Sequence, residues 1–135
     1  PIYFYNKGEP YYELTNFWVD EQPVVIDGKE WKTTEHYFQA SKYAHDPVRM
    51  EQVRQLKSPR ETFAYVRVAD NKAARRQDWQ DVKDDVMLHA IRHKFSQNER
   101  LKTLLLKTFP RPLVEHTDKD SYWADGGDGT GKNKL

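Results

Sequence analysis

Cysteine is absent from this chain of 135 residues, so disulfides and thiolate chemistry are excluded. Long apolar runs are absent too. None approaches the roughly 20 residues that cross a bilayer, and Pro1-Ile2-Tyr3-Phe4-Tyr5 lacks the charged region and apolar stretch of a secretory signal. The expectation is a cytoplasmic protein with no membrane partner. Charge of one sign is also missing. The 22 basic and 21 acidic side chains leave a net charge of +1. That is no general signature of nucleic-acid or anionic-membrane binding, although it leaves room for a local basic pocket. Glycine is scarce, and four of the six glycines crowd into the tail.

Aromatic side chains are what the chain has in quantity. They make up 13% of it, as four Trp, eight Tyr and six Phe, against 37% apolar residues overall. With a mean hydropathy of −1.00, a core built on rings rather than aliphatics is expected. The length suits one domain, and with no repeat or linker we expect a single domain over 1–135.

The fold class read from the pattern is α+β, helix-rich, with small antiparallel β pieces. Ile2 to Tyr5 is β-prone. Val24-Val25-Ile26, Asp27-Gly28 and Lys29-Glu30-Trp31 form a hairpin signal, and a short strand is expected at Leu113 to His116. Thr33 or Thr34 can cap a helix running to about Ala44. Asp46-Pro47 and the capping box Ser58-Pro59-Arg60-Glu61 open two more. Asp78 precedes the longest, whose apolar positions Trp79, Val82, Val86, Met87, Ala90, Ile91 and Phe95 recur with a helical period. Gln97-Asn98 restarts a helix that Phe109-Pro110 ends.

Several residues could carry chemistry. Glu35, in a first helical turn, shares one face with Gln39 and Lys42. A carboxylate, an amide and an ammonium in a row suit a sugar-phosphate pocket; the plain alternative is a solvated helix face. The tail Trp123-Ala124-Asp125-Gly126-Gly127-Asp128-Gly129-Thr130-Gly131 could turn backbone N–H groups toward an anion, with Trp123 as a stacking surface, or be a surface loop. It is neither a Walker A loop nor a dinucleotide fingerprint, and its Asp residues lack calcium-loop spacing. Trp79 is a core anchor or a cleft ring. Arg67, Lys72, Arg75 and Arg76 form a basic stretch that could bind phosphate, or simply a solvated loop. The five His are scattered. His89 and His93 stand at i, i+4 without a third ligand, so no metal is expected, and no Ser-centred elbow occurs.

Glu35-His36-Tyr37-Phe38-Gln39-Ala40-Ser41-Lys42 resembles a signature block of NADAR proteins, the YbiA-like family. Three more blocks agree in order: Leu14-Thr15-Asn16-Phe17, Trp-x6-Val-Met from Trp79 to Met87, and Leu113-Val114-Glu115-His116-Thr117 leading to Trp123-x-Asp-Gly-Gly-x-Gly-x-Gly-x-Asn-x-Leu. Together they span nearly the whole chain. The resemblance implies an N-glycosidase acting on a small phosphoribosyl or ADP-ribosyl substrate without a cofactor. One branch of the family hydrolyses early riboflavin intermediates and frees ribose 5-phosphate. Another removes ADP-ribose from guanine bases, which would make ADP-ribosylated nucleic acid a partner. A nucleotide-binding module without turnover is the alternative from another class.

On this resemblance Glu35, Lys42 and Asp125 are the expected catalytic residues. Asn16, Phe17, Gln39, Trp79, Trp123, Gly126 and Asn133 are the expected substrate contacts, with Asn16 and Asn133 on sugar hydroxyls and the Gly126 to Gly131 backbone on phosphate. The family pattern has Gly where Ala124 stands, and Ala would be strained there if the turn needs positive φ. The pattern also continues beyond Leu135, so the expectation is either a C-terminal truncation or a natural end there.

Overall fold

The computed structural model describes all residues, 1–135. The chain forms two compact units, one made of Pro1–Trp18 with Asn98–Leu135 and the other of Val19–Gln97.

The second unit holds a hairpin and five helices. Strands β1 (Ile2–Phe4) and, here, β2 (Val24–Ile26) and β3 (Lys29–Trp31) are followed by α1 (Thr34–Ala40), α2 (Pro47–Gln55), α3 (Pro59–Tyr65), α4 (Ala69–Ala73) and α5 (Trp79–Gln97). β2 and β3 pair antiparallel, Val24 opposite Trp31. Both turn residues have positive φ, 53° at Asp27 and 79° at Gly28, as a two-residue hairpin turn of this twist requires. Thr33 caps α1 by accepting from His36 N. Asp46 caps α2, with Pro47 at its start, and Ser58 with Glu61 completes both halves of the capping box on α3.

α1 packs against α2, α3 and α5. Trp31, Tyr43, Ile26, Val53 and Val66 fill the surrounding core. Each buried side chain of this size contributes roughly 1.5–3 kcal/mol over leaving it in water. Every residue from Thr33 to Tyr43 is buried, which removes the solvated helix face that stood as the plain alternative. The helix is also shorter than expected. It gives way to a 3₁₀ turn at Ser41–Tyr43, and Ala44 is exposed. The basic stretch contains a helix not foreseen, α4. It has no buried residue, so no apolar period announced it.

His36 is fully buried. Its Nε2 lies 2.9 Å from the Leu56 carbonyl and its Nδ1 2.7 Å from Thr33 Oγ1. A carbonyl only accepts, so Nε2 carries the proton and the Thr33 hydroxyl donates to Nδ1. Burial pushes the His36 pKa below its ordinary value and keeps this arrangement neutral.

In the first unit, β1 pairs with β4 (Leu113–Glu115) and α6 spans Glu99–Lys107, capped by Asn98. The β1–β4 pairing is parallel, Ile2 opposite Leu113. The small β pieces are therefore not all antiparallel, because these two strands come from opposite ends of the chain rather than from a hairpin. The glycine-rich tail folds on itself. Gly131 N donates to Asp125 O at 2.7 Å, and Asn133 N to Ala124 O at 2.9 Å. Ala124 is fully buried, and it is not among the residues with positive φ, so the strain expected of Ala there does not arise.

Two predictions concern stability. A Cβ at Gly131 would come within 2.5 Å of Ala124 O and Asp125 C, whereas Gly129 (φ 85°) has open space around it. Gly131→Ala should destabilise by upwards of about 3 kcal/mol, and Gly129→Ala by only about 1 kcal/mol for its backbone; chemical denaturation of the pair reads the difference, and equal costs would contradict the packing. For His36, the unfolded chain takes up a proton near pH 6.5 that the folded chain refuses. Stability should therefore be complete above that pH and decline below it. His36→Gln should lose less stability between pH 7.5 and 5 than wild type does.

Candidate active site

In the Val19–Gln97 unit the structure gathers four of the expected site residues: Glu35, Gln39, Lys42 and Trp79. The first three lie one helical turn apart along α1 and its 3₁₀ extension. They are 7%, 4% and 8% exposed, which replaces the picture of a solvated row with that of a nearly dry one. Gln39 Nε2 donates to Glu35 Oε1 at 3.3 Å, while Gln39 Oε1 is buried without a partner. Lys42 Nζ lies 5.6 Å from the Trp79 ring centre and 5.8 Å from that of Phe38. The two rings meet edge to face at 5.0 Å. Trp79 thus packs in the interior and also walls the ammonium.

Burial is the main reason that the Lys42 pKa falls to about 8. The charge of Arg75 lowers it further, and Glu35 opposes the fall, with smaller lowering effects from Arg67 and Lys83. The site therefore offers a carboxylate beside an amine that reaches its neutral, nucleophilic form near physiological pH.

The other expected residues belong to the Pro1–Trp18 and Asn98–Leu135 unit, where much of their polar capacity goes into the fold. Asp125 Oδ2 accepts from His116 Nδ1 at 2.7 Å, and Oδ1 accepts from Thr117 N and Gly127 N. The bond from His116, then those backbone bonds, hold the Asp125 pKa below the usual carboxylate range. Its bonds organise the loop and favour its charged form. Asn133 Oδ1 accepts from Glu115 N at 3.0 Å, and its Nδ2 donates to Leu113 O at 2.9 Å. The side chain thus runs along β4 like a short strand.

Several of the tail N–H groups expected to turn toward an anion find acceptors within the loop. Gly126 N donates to Asp120 O, Gly127 N to Asp125, Thr130 N to Asp128 and Gly131 N to Asp125 O, so these N–H groups are matched within the loop. Trp123 is half-buried, with its ring edge to face against Tyr122 at 4.8 Å. Asn16 and Phe17 are half-buried. No group of three or more His, Asp or Glu side chains is arranged to hold a metal ion. His89 Nε2 is 3.0 Å from Asp27 Oδ1, and the same Asp27 accepts from Tyr37 at 2.8 Å.

Two residues of the site went unnamed in the sequence reading or were seen only dimly. Phe38 sits inside the signature block and gave no polar signal. Arg75 was one of four basic residues with nothing to single it out. It is placed by Arg76 N donating to Lys42 O at 2.8 Å, which no local pattern encodes.

A buried carboxylate and a low-pKa amine walled by aromatic rings make a candidate site for hydrolysis, and comparison with known proteins gives the class. The NADAR domain model matches residues 3–135. The chain is 44% identical to N-glycosidase YbiA of Escherichia coli over 136 residues, covering 99% of this chain and 81% of that protein. It is 39% identical over 136 residues to riboflavin biosynthesis protein VVA0006 of Vibrio vulnificus, covering 100% of this chain and 35% of that one. The NMR structure of Escherichia coli YbiA superposes with a TM-score of 0.85 at 43% identity, covering 98% of this chain and 76% of that one. The fold is thus the α+β fold of that protein. The chain belongs to the NADAR domain family, and it is an N-glycosidase, a hydrolase of N-glycosyl compounds.

The Lys42 environment is directly measurable. Side-chain NMR of Lys42 Cε should titrate with a midpoint near 8, and Arg75→Gln should move that midpoint upward by removing a nearby cation. A midpoint at or above 10 would contradict the buried placement.

Proposed function

We propose that this enzyme hydrolyses the N-glycosidic bond between a base and a phosphorylated ribose, as in early riboflavin intermediates, and releases ribose 5-phosphate. The observation that carries the reading is the pairing of Glu35 with a low-pKa Lys42 in one dry, ring-walled site. The name of the Vibrio vulnificus relative, a riboflavin biosynthesis protein, favours that substrate class.

Cleavage of the C1–N bond leaves positive charge on the ribose and negative charge on the departing base. Glu35 stabilises the first and takes a proton from the attacking water. The base nitrogen leaves with a proton and C1 keeps the hydroxyl, so one water is consumed. Lys42, when charged, neutralises the leaving group. When neutral, it can instead attack the opened sugar aldehyde and form an imine. Gln39, hydrogen-bonded to Glu35, offers its unpartnered Oε1 to a sugar hydroxyl, and Trp79 with Phe38 keeps water from the reacting centre.

The experiment is release of ribose 5-phosphate from 5-amino-6-ribosylaminouracil 5'-phosphate by wild type and Glu35→Gln. Wild type should turn over, and the variant should lose at least about 100-fold, the scale of a positioned acid–base group. Borohydride added during turnover should trap sugar on Lys42 if the imine forms. Wild type without glycosidase activity on this substrate would sink the substrate assignment.

A further inference from the structure

Near the Glu35 site, the segment from Arg67 to Arg75 carries two arginines that no salt bridge holds. Arg49, Arg54, Arg76 and Arg100 each have a carboxylate partner. Arg67 and Arg75 have none. Arg67 lies with its guanidinium carbon 3.3 Å from the Phe63 ring centre and donates to Phe63 O at 3.1 Å. Arg75 donates from one Nη to Val66 O at 2.6 Å, while its Nε is buried without any partner.

A buried guanidinium N–H with no acceptor costs stability, and here it lies beside the reactive lysine. Arg76 N bonds to Lys42 O, and the Arg75 side chain reaches Tyr43. The charged groups that weigh most on Lys42 are the cations Arg75, Arg67 and Lys83, against the carboxylate of Glu35. This corner therefore carries an excess of positive charge in a poorly solvated place. A phosphate monoester brings about −1.5 to −2 charges and three acceptor oxygens, which would match both the charge and the idle Nε donor. Arginine's fork suits that geometry better than a lysine does.

We propose that Arg75, assisted by Arg67, recognises the phosphate of the substrate in this site, and so selects phosphorylated ribosides over plain ones. The assignment rests on the glycosidase reading for the identity of the substrate, but not for the presence of a phosphate. It also moves the phosphate away from the tail, where the N–H groups of Gly126, Gly127 and Gly131 are already matched.

Three variants test it: Arg75→Gln, Arg75→Lys, which keeps the charge and loses the fork, and the exposed Arg67→Gln, which spares the bond to Val66 O. For each, kcat/KM is measured on the ribosyl 5'-phosphate, the dephosphorylated riboside and an ADP-ribosyl substrate. Binding of ribose 5-phosphate is measured separately by calorimetry. Wild type should prefer the monophosphate over the riboside by roughly 30-fold or more, the scale of a charge-assisted bond. Arg75→Gln should shrink that ratio at least about 10-fold, mainly through KM, with Arg75→Lys and Arg67→Gln between.

A preference for the ADP-ribosyl substrate that Arg75→Gln abolishes also supports the assignment, with a diphosphate as the anion. An unchanged ratio and unchanged ribose 5-phosphate binding in folded Arg67→Gln and Arg75→Lys would overturn it while leaving the glycosidase reading intact. Arg75-dependent ribose 5-phosphate binding without turnover would support it and sink the glycosidase reading instead.

Discussion

A helix buried on every side must answer each of its polar groups from within, and that constraint organises the Val19–Gln97 unit. On α1 the core supplies most of the answers. Thr33 and the Leu56 carbonyl take both ring nitrogens of His36, Ser41 Oγ returns to Tyr37 O, and the Tyr37 hydroxyl goes to Asp27. Against this background of satisfied groups, the exceptions carry information. The idle Gln39 Oε1 and Arg75 Nε are costs that a purely structural core would shed. The Lys42 ammonium is likewise kept where water cannot stabilise it, and its lowered pKa is the result.

The other unit uses polar side chains in a different way. Asp120, Asp125, Asp128 and Asn133 each bond backbone groups within the tail or β4. A segment rich in glycine, with its large loss of conformational freedom on folding, is held by a network of carboxylates and one amide. Three tail glycines, Gly126, Gly127 and Gly129, have φ of 76–86°. At Gly127 an added Cβ would also strike Asp118.

The fold was legible where its signals are local. The caps at Thr33, Asp46, Ser58 and Asn98, the Asp27-Gly28 turn and the period of α5 all depend on residues a few positions apart. The parallel β1–β4 pairing joins opposite ends of the chain, and no local pattern specifies it. Helix α4 has no buried face, so periodicity was silent there. The candidate site divided in the same way. The Glu35–Gln39–Lys42 row follows from helical spacing, but its burial follows from α2, α3 and α5 packing round it. Asp125 and Asn133 show the converse case. A carboxylate and an amide in a glycine loop look available to a ligand until the loop's own N–H groups are seen to engage them. Arg75 could not be told from its basic neighbours because what distinguishes it is a contact with residue 42.

The unbroken burial from Thr33 to Tyr43 also bears on how such an enzyme can change over time. No position in that stretch faces solvent, so nearly every substitution there is felt in packing or in the ionisation of Lys42, and neutral drift has little purchase. The exposed helix α4 and its flanks are free of that restriction. New substrates would be acquired by rewriting the outer segment around an inner helix that stays as it is, so chemistry and selectivity can evolve at different rates within one small protein.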